Sequence, residues 1–161
     1  MQKITTYLWF DNQAEEAATF YTSLFADSRI LDVQRYGEGG PGPAGTAMIV
    51  TFEVAGQRFL ALNGGQAGFS FSEAISLYVD CADQAEVDRL WDGLTADGGE
   101  EGSCGWLKDK YGLSWQIIPA ALPRLMSDPD PVKAGNVMQA MLKMSKIQVP
   151  ELQAAYDSAG N

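Results

Sequence analysis

The chain contains no histidine. That removes the side chain whose ordinary titration lies near neutral pH and the commonest transition-metal ligand. Ser–His–Asp and Cys–His catalysis are excluded, and with them histidine-based zinc and non-haem iron sites. Basic residues are sparse: 11 lysines and arginines stand against 21 aspartates and glutamates, a net charge of −10. They are scattered singly, with Lys108 and Lys110 the nearest approach to a cluster. Proteins that grip nucleic acid carry a basic stripe to neutralise phosphates, so neither nucleic acid nor an anionic membrane surface is an expected partner. The two cysteines, Cys81 and Cys104, are too few for a disulfide scaffold and form no Cys-x-x-Cys motif. No run of 18 apolar residues occurs, and no basic segment leads into a shorter apolar one, so a reducing, cytoplasmic setting is expected.

What is present is the composition of a globular domain: 161 residues, 46% hydrophobic and 20% charged. Lys3 to Phe10 is rich in β-branched and aromatic residues and predicts a strand. Ala14, Ala17, Ala18, Tyr21, Leu24 and Phe25 follow at helical spacing. Arg29 to Tyr36, Thr46 to Val54 and Arg58 to Leu62 read as strands, separated by the Gly/Pro-rich loop Gly37 to Gly45 and a tight turn near Ala55-Gly56. A second strand–helix pair comprises Ala74 to Asp80 and Ala85 to Ala96, with Val87, Leu90, Trp91 and Leu94 on one helix face. Weaker strand signals lie at Gly99–Glu101 and Trp106–Asp109, and a stronger one at Ser114–Ile118.

A shift of 71 positions superposes Ile4 on Ile75, Tyr7 on Tyr78, Gln13 on Gln84, Ala14 on Ala85 and Glu15 on Glu86. Because the order of elements repeats along with the residues, a duplicated βαβββ module is expected. The remaining residues differ. Ser127-Asp-Pro-Asp-Pro131 offers helix caps with proline at an early position. Val137, Met138, Met141, Leu142 and Ser145 follow at helical spacing, and a second short helix begins near Pro150. The three methionines 138, 141 and 144 read as adaptable packing.

The strings Tyr7-Leu-Trp-Phe-Asp-Asn-Gln-Ala-Glu-Glu-Ala17, Phe20-Tyr21, Ala61-Leu-Asn-Gly-Gly65 and Gly105-Trp-Leu-Lys-Asp-Lys-Tyr-Gly-Leu-Ser-Trp-Gln-Ile-Ile-Pro119 resemble the PhnB-like branch of the vicinal oxygen chelate superfamily. Ser127 to Pro131 and Val137 to Leu142 add to that resemblance, which covers nearly the whole chain. It implies an α+β fold: two βαβββ modules, residues 1–70 and 71–120, forming a curled mixed-sheet cup, with a C-terminal helical extension over 121–161. It also implies a homodimer. The branch is often labelled 3-demethylubiquinone-9 3-methyltransferase-like, but a methyltransferase of the doubly wound kind needs a Gly-rich loop between a strand and a helix. Here the Gly-rich stretch lies between two strands and contains two prolines.

Enzymes of the superfamily hold a divalent metal with His or Glu from the first and last strands of each module. Alternation along the strands puts Ile75, Leu77 and Val79 on the helix side and Ser76, Tyr78 and Asp80 in the cup; the repeat then assigns Thr5, Tyr7 and Trp9 to it. On the fourth strand Ala61 and Asn63 are assigned inward, and Gln116 stands where the resemblance places a metal-binding carboxylate. The metal positions therefore hold Thr5 or Tyr7, Ala61 or Asn63, Ser76 or Tyr78, and Gln116. All are neutral, unlike the charged or imidazole ligands that hold a Lewis-acidic ion, so neither metal nor cofactor is expected.

The expected function is metal-independent binding of a small molecule, probed by Tyr7, Trp9, Asn63, Ser76, Tyr78, Trp106 and Gln116, with Trp115 as a further stacking wall. The alternative is an enzyme of the same superfamily acting on a small organic substrate, through a carboxylate such as Asp80 or through Cys104 activated by a helix N-terminus or Lys108. A third reading is a structural or partner-binding domain whose cup is plugged by its own side chains. Glu15-Glu16 reads as a solvated helix pair, and Lys108-Asp109-Lys110 as a charged hairpin edge.

Overall fold

Tyr7 and Trp9 alternate with Leu8 and Phe10 along the first strand, and that alternation decides which side of the sheet is packed. The structure is a computed structural model that describes residues 2–160. Strand β1 (Thr6–Phe10) leads into helix α1 (Ala14–Leu24), followed by β2 (Arg29–Arg35), β3 (Ala47–Val54) and β4 (Gln57–Asn63). The four strands form one mixed sheet in the order β1-β4-β3-β2, with β1 parallel to β4 and the other pairs antiparallel. Ala55 and Gly56 both have positive φ, the requirement of the tight hairpin turn that joins β3 to β4. The side chains buried against α1 are Leu8, Phe10, Val50, Phe52, Val54, Phe59 and Ala61. Helix α1 meets them with Ala14, Ala17, Ala18 and Tyr21, three of them small enough to let the helix sit close. Tyr21, Phe52 and Phe59 stack in sequence, with centroids 6.3 and 5.6 Å apart. Glu15 is exposed as expected and also grips Arg35 through two hydrogen bonds of 3.0 and 3.1 Å, a surface pair that joins the first turn of α1 to the end of β2.

The same plan recurs in the second unit, whose boundary with the first falls between Ser70 and Phe71. Strand β5 (Ser76–Cys81), helix α2 (Gln84–Thr95), β6 (Glu100–Glu101), β7 (Trp106–Lys108) and β8 (Ser114–Pro119) give a sheet ordered β5-β8-β7-β6, again with its first and last strands parallel. Ile75, expected in the packed face, lies before β5 and is exposed, because the strand starts one residue later. Val87, Leu90, Trp91 and Leu94 of α2 pack on Leu107, Trp115 and Ile117, all buried. The Trp91 indole donates to Glu101 Oε1 at 2.6 Å, so the burial of a polar nitrogen is satisfied.

The β7–β8 hairpin departs from its expected role as a charged edge. Asp109 is buried and organises the turn. Its carboxylate accepts from the backbone N–H of Tyr111 at 2.9 Å and of Leu113 at 3.1 Å, and from the Trp115 indole at 2.9 Å. Trp115 therefore belongs to the core and is no wall of a cup: its polar edge is tied down, and alternation turns it toward α2.

The tail belongs to the second unit. Helices α3 (Ala121–Met126), α4 (Pro131–Met141) and α5 (Val149–Asp157) follow β8. Helix α3 has no counterpart in the sequence reading; Pro123 argues against a helix but sits in its first turn, where no N–H is needed. Asp130 caps α4 by accepting from Val132 N at 2.9 Å, with Pro131 at the first helical position. Leu122, Leu125, Val137, Met144, Ile147 and Leu152 close over Ile118 as a second hydrophobic cluster. Met138 and Leu142 were expected on that packed face but point to solvent, since the buried stripe of α4 runs through Val137. Between α4 and α5 the chain is strapped to the loop before β7: Cys104 N donates to Met144 O and Gly105 N to Ser145 O, each at 2.8 Å. A Cβ at Gly105 would crowd the tip of Ile118 and press on Ile147, and its φ of 84° is one that other residues rarely adopt. Among the described residues no helix is long and apolar enough to cross a membrane.

Replacing Asp109 with alanine leaves the Trp115 indole N–H and two backbone donors buried without their acceptor. A loss of about 3 kcal/mol is expected in urea unfolding. Asp109→Asn keeps one acceptor but sets an amide donor against the indole and should fall between; an unchanged midpoint for the alanine variant contradicts this account.

Candidate functional site

With α1 on one side, the other side of the first sheet carries Tyr7 and Trp9, 49% and 39% exposed. Their register partners on β4 are Leu60 and Leu62, and Ile49 of β3 stands opposite Leu62; all three are half-buried. Trp9 is held rather than loose. Its indole N–H donates to Gly65 O at 3.0 Å, and its ring meets Phe69 edge to face at 5.3 Å. Gly64 lies so close beneath the ring that a Cβ there would run into it, which explains the Gly64-Gly65 pair at the end of β4.

Next to Trp9, a cavity of about 750 Å³ opens between the ends of β1 and β4 and the loop that connects β2 to β3. Trp9, Tyr36, Pro41, Pro43, Met48 and Leu62 make its apolar walls, and Asp11 and Asn12 add polar groups. The Gly/Pro-rich loop is thus a wall with a fixed base. Tyr36 donates its hydroxyl to Asn63 O at 2.6 Å, Tyr36 N and O pair with Thr46 O and Gly45 N, and Gly42 packs on the Tyr36 ring. Tyr36 was not among the expected site residues. Its position between a strand and a loop too rich in glycine to bury anything itself is the signal that could have found it.

The expected inward placement of Ala61 and Asn63 is reversed. Ala61 is buried opposite Leu8, on the α1 side. Asn63 shares that side and caps the helix: its Oδ1 accepts from Ala14 N at 2.8 Å and its amide donates to Ala47 O at 3.0 Å. The physical reason lies at the helix start. Gln13 occupies the cap position of α1 without a side-chain cap, whereas Asp83 caps α2 by accepting from Glu86 N at 2.9 Å and Glu86 reaches back to Ala82 N. The first module borrows its cap from β4. Asn63→Ala is expected to cost about 1–2 kcal/mol in urea unfolding, a loss that Asn63→Asp recovers in part; no loss for alanine contradicts the capping role.

On the second sheet, Ser76, Tyr78, Trp106 and Gln116 occupy the side away from α2. Tyr78 is 55% exposed and stands opposite Gln116, which pairs with Trp106 on its other flank. The Gln116 amide donates to Ser76 Oγ at 2.9 Å. The six residues Tyr7, Trp9, Ser76, Tyr78, Trp106 and Gln116 thus lie on the helix-free sides of the two sheets; Asn63 alternates to the other side but, at the end of β4, still lines the cavity beside Trp9.

These groups do not suit a metal. A phenol, a serine hydroxyl and a carboxamide already paired with that hydroxyl stand where charged ligands would be needed, and the Asn63 amide is spent on a helix cap. Among the described residues, no group of three His, Cys, Asp or Glu side chains converges. Cys81 is buried on the α2 side, and burial, with Glu86 and Asp80 nearby, pushes its thiol up to about 12. It remains protonated and inert at neutral pH. Cys104 is half-buried, in a left-handed turn at φ 58°. A thiol-disulfide reagent should therefore modify no more than one cysteine in the folded protein and two in denaturant; rapid native modification of both contradicts the placement of Cys81.

The family model described as 3-demethylubiquinone-9 3-methyltransferase matches residues 2–118, leaving the tail helices outside the match. Among solved structures, the PhnB protein from Bacillus cereus is 42% identical, with a TM-score of 0.70 over 74% of this chain and 100% of that one. Protein PA1353 from Pseudomonas aeruginosa, at 19% identity and a TM-score of 0.62 over 74% of this chain and 98% of its own, shares the fold. No curated protein matches the sequence.

Proposed function

We propose, from the premise that the chain belongs to the 3-demethylubiquinone-9 3-methyltransferase family, the PhnB-like branch of the vicinal oxygen chelate fold, that it binds a small organic molecule without a protein-held metal. The observation that carries this reading is the cavity of about 750 Å³ beside Trp9, whose size and apolar walls suit a ligand of drug-like dimensions. Trp9 offers a ring already fixed by Gly65 and Phe69, so little side-chain entropy is lost on stacking. On the second sheet, Tyr78, Trp106 and the Ser76–Gln116 pair supply a comparable aromatic and neutral hydrogen-bonding surface.

Methyl transfer, which the family description names, finds no support in the architecture. The two sheets are mixed and four-stranded, and the Gly-rich stretch joins β2 to β3 rather than a strand to a helix. The donor set equally gives no route to Lewis-acid chemistry through a held ion. The same reading includes a homodimer working in the cytoplasm.

Native mass spectrometry of protein purified without chelator tests this. A retained organic adduct, lost in the Trp9→Ala variant while the far-ultraviolet spectrum is unchanged, is the expected result. Stoichiometric manganese, zinc, nickel or iron in the same preparation would overturn the metal-free reading. Sedimentation velocity tests the dimer.

A further inference from the structure

The cavity beside Trp9 has its side-chain donors already committed. Trp9, Tyr36, Thr46 and Asn63 each give a hydrogen to a backbone carbonyl: Gly65 O at 3.0 Å, Asn63 O at 2.6 Å, Pro43 O at 2.6 Å and Ala47 O at 3.0 Å. Pro41 and Pro43 have no N–H to offer. The N–H groups of Gly64 and Gly65 go to Phe10 O at 2.9 Å and Asp11 O at 3.1 Å. Among the described residues, the polar lining side chains that bond to nothing else are those of Asp11 and Asn12. An ionised carboxylate only accepts, and a carboxamide oxygen accepts as well.

Charge points the same way. Asp11 is the one charged residue of the lining; no lysine or arginine shares it. Arg35, next to Tyr36 in sequence, is held by Glu15. The Asp11 carboxylate is not placed as a helix cap. It stands outside the first turn of α1, where the pull of the helix dipole fades, and Asn63 supplies the cap. Its backbone is fixed all the same. Gly65 accepts from the Trp9 indole and donates to Asp11 O, so one residue holds both the ring and the base of the carboxylate. The second unit differs. Its cavity of about 380 Å³ is lined by Trp106, Lys108 and Glu73 among others, but there the lysine and Glu73 pair with each other and Glu101 accepts from Trp91.

We propose that the cavity beside Trp9 takes a flat aromatic molecule that carries one protonated amine. The ring lies among Trp9, Tyr36 and the loop prolines, and the ammonium meets Asp11 and the carboxamide oxygen of Asn12. An ammonium brings donors and no acceptor, which is what this lining lacks and can receive. An anion would find no counter-charge there. The inference rests on the ligand reading of this cavity and names the class of ligand.

Three probes with one ring system test it: tryptamine, its alcohol analogue tryptophol, and indole-3-acetate. Binding is followed by 19F NMR of the full chain labelled with 5-fluorotryptophan, with Trp9→Phe and Trp106→Phe assigning the resonances and buried Trp91 and Trp115 as internal references. Tryptamine is expected to move the Trp9 resonance and to bind about fivefold more tightly than tryptophol, with indole-3-acetate the weakest. Asp11→Asn is expected to remove the preference for the amine while leaving tryptophol binding unchanged, which also shows that the variant is folded. Glu151→Gln, on α5, is expected to keep the preference. Its loss there too would assign the effect to the net charge of −10 and overturn the proposal. Equal affinity for the three probes at Trp9, or a preference that survives Asp11→Asn, overturns the cation class while leaving the ligand reading of the cavity standing. No shift at Trp9 with any probe, or a shift at Trp106 alone, overturns the proposal, and the adduct experiment above then decides the ligand reading separately.

Discussion

Each four-stranded sheet is covered by one helix on one side, and this single packing arrangement decides the rest. Period-two alternation sends Leu8, Phe10, Val50, Phe52, Phe59 and Ala61 under α1. It sends Leu107, Trp115 and Ile117 under α2. Whatever alternates with them must then stand on the side that neither α1 nor α2 covers, where only the end of β8, at Ile118, is closed over by the tail helices. In ordinary half-solvated sheets that side is polar. Here it carries Tyr7, Trp9, Tyr78 and Trp106 among half-buried aliphatic residues, a composition that solubility alone does not require.

The two units meet the same demands with different residues. Helix α1 takes its cap from Asn63 on β4, while α2 is capped by its own Asp83 and Glu86. In the first unit the glycine-rich loop, anchored by Tyr36, forms one wall of the cavity beside Trp9. In the second unit β7 and β8 are joined by a short turn held by the buried carboxylate of Asp109, and the tail helices pack on Ile118. The duplication preserves the strand order and lets the details of each surface diverge, which is how one architecture comes to present two chemically unlike cavities.

Much of this was legible in residues. The helix faces of α1 and α2, the hairpin at Ala55-Gly56 and the helix-free placement of Tyr7, Trp9, Ser76 and Tyr78 follow from periodicity and the 71-residue repeat, while the family and the place of Gln116 rest on the resemblance of the motif strings. The failures share a cause: a polar or aromatic side chain was read by its type, and its partner lay far away in sequence. Asn63 reads as an inward group by type, but Ala14, 49 positions earlier, needs a cap, and Asn63 turns to supply it while still lining the edge of the cavity. Trp115 looks like a stacking wall until Asp109 is found bonded to its indole. Asp109 itself, between two lysines, looks solvated because its acceptor role depends on a turn closing around it.

The central claim is that these helix-free surfaces hold an organic molecule by stacking and neutral or charge-assisted contacts, with no coordinated metal. A crystal structure of the protein purified without chelator, with anomalous data collected across the transition-metal edges, addresses it most directly. The account predicts organic density against the ring of Trp9 or Trp106 and no anomalous peak beside Tyr7, Ser76 or Gln116. A coordinated ion at those side chains, or cavities filled only by solvent after soaking with candidate ligands, would contradict it.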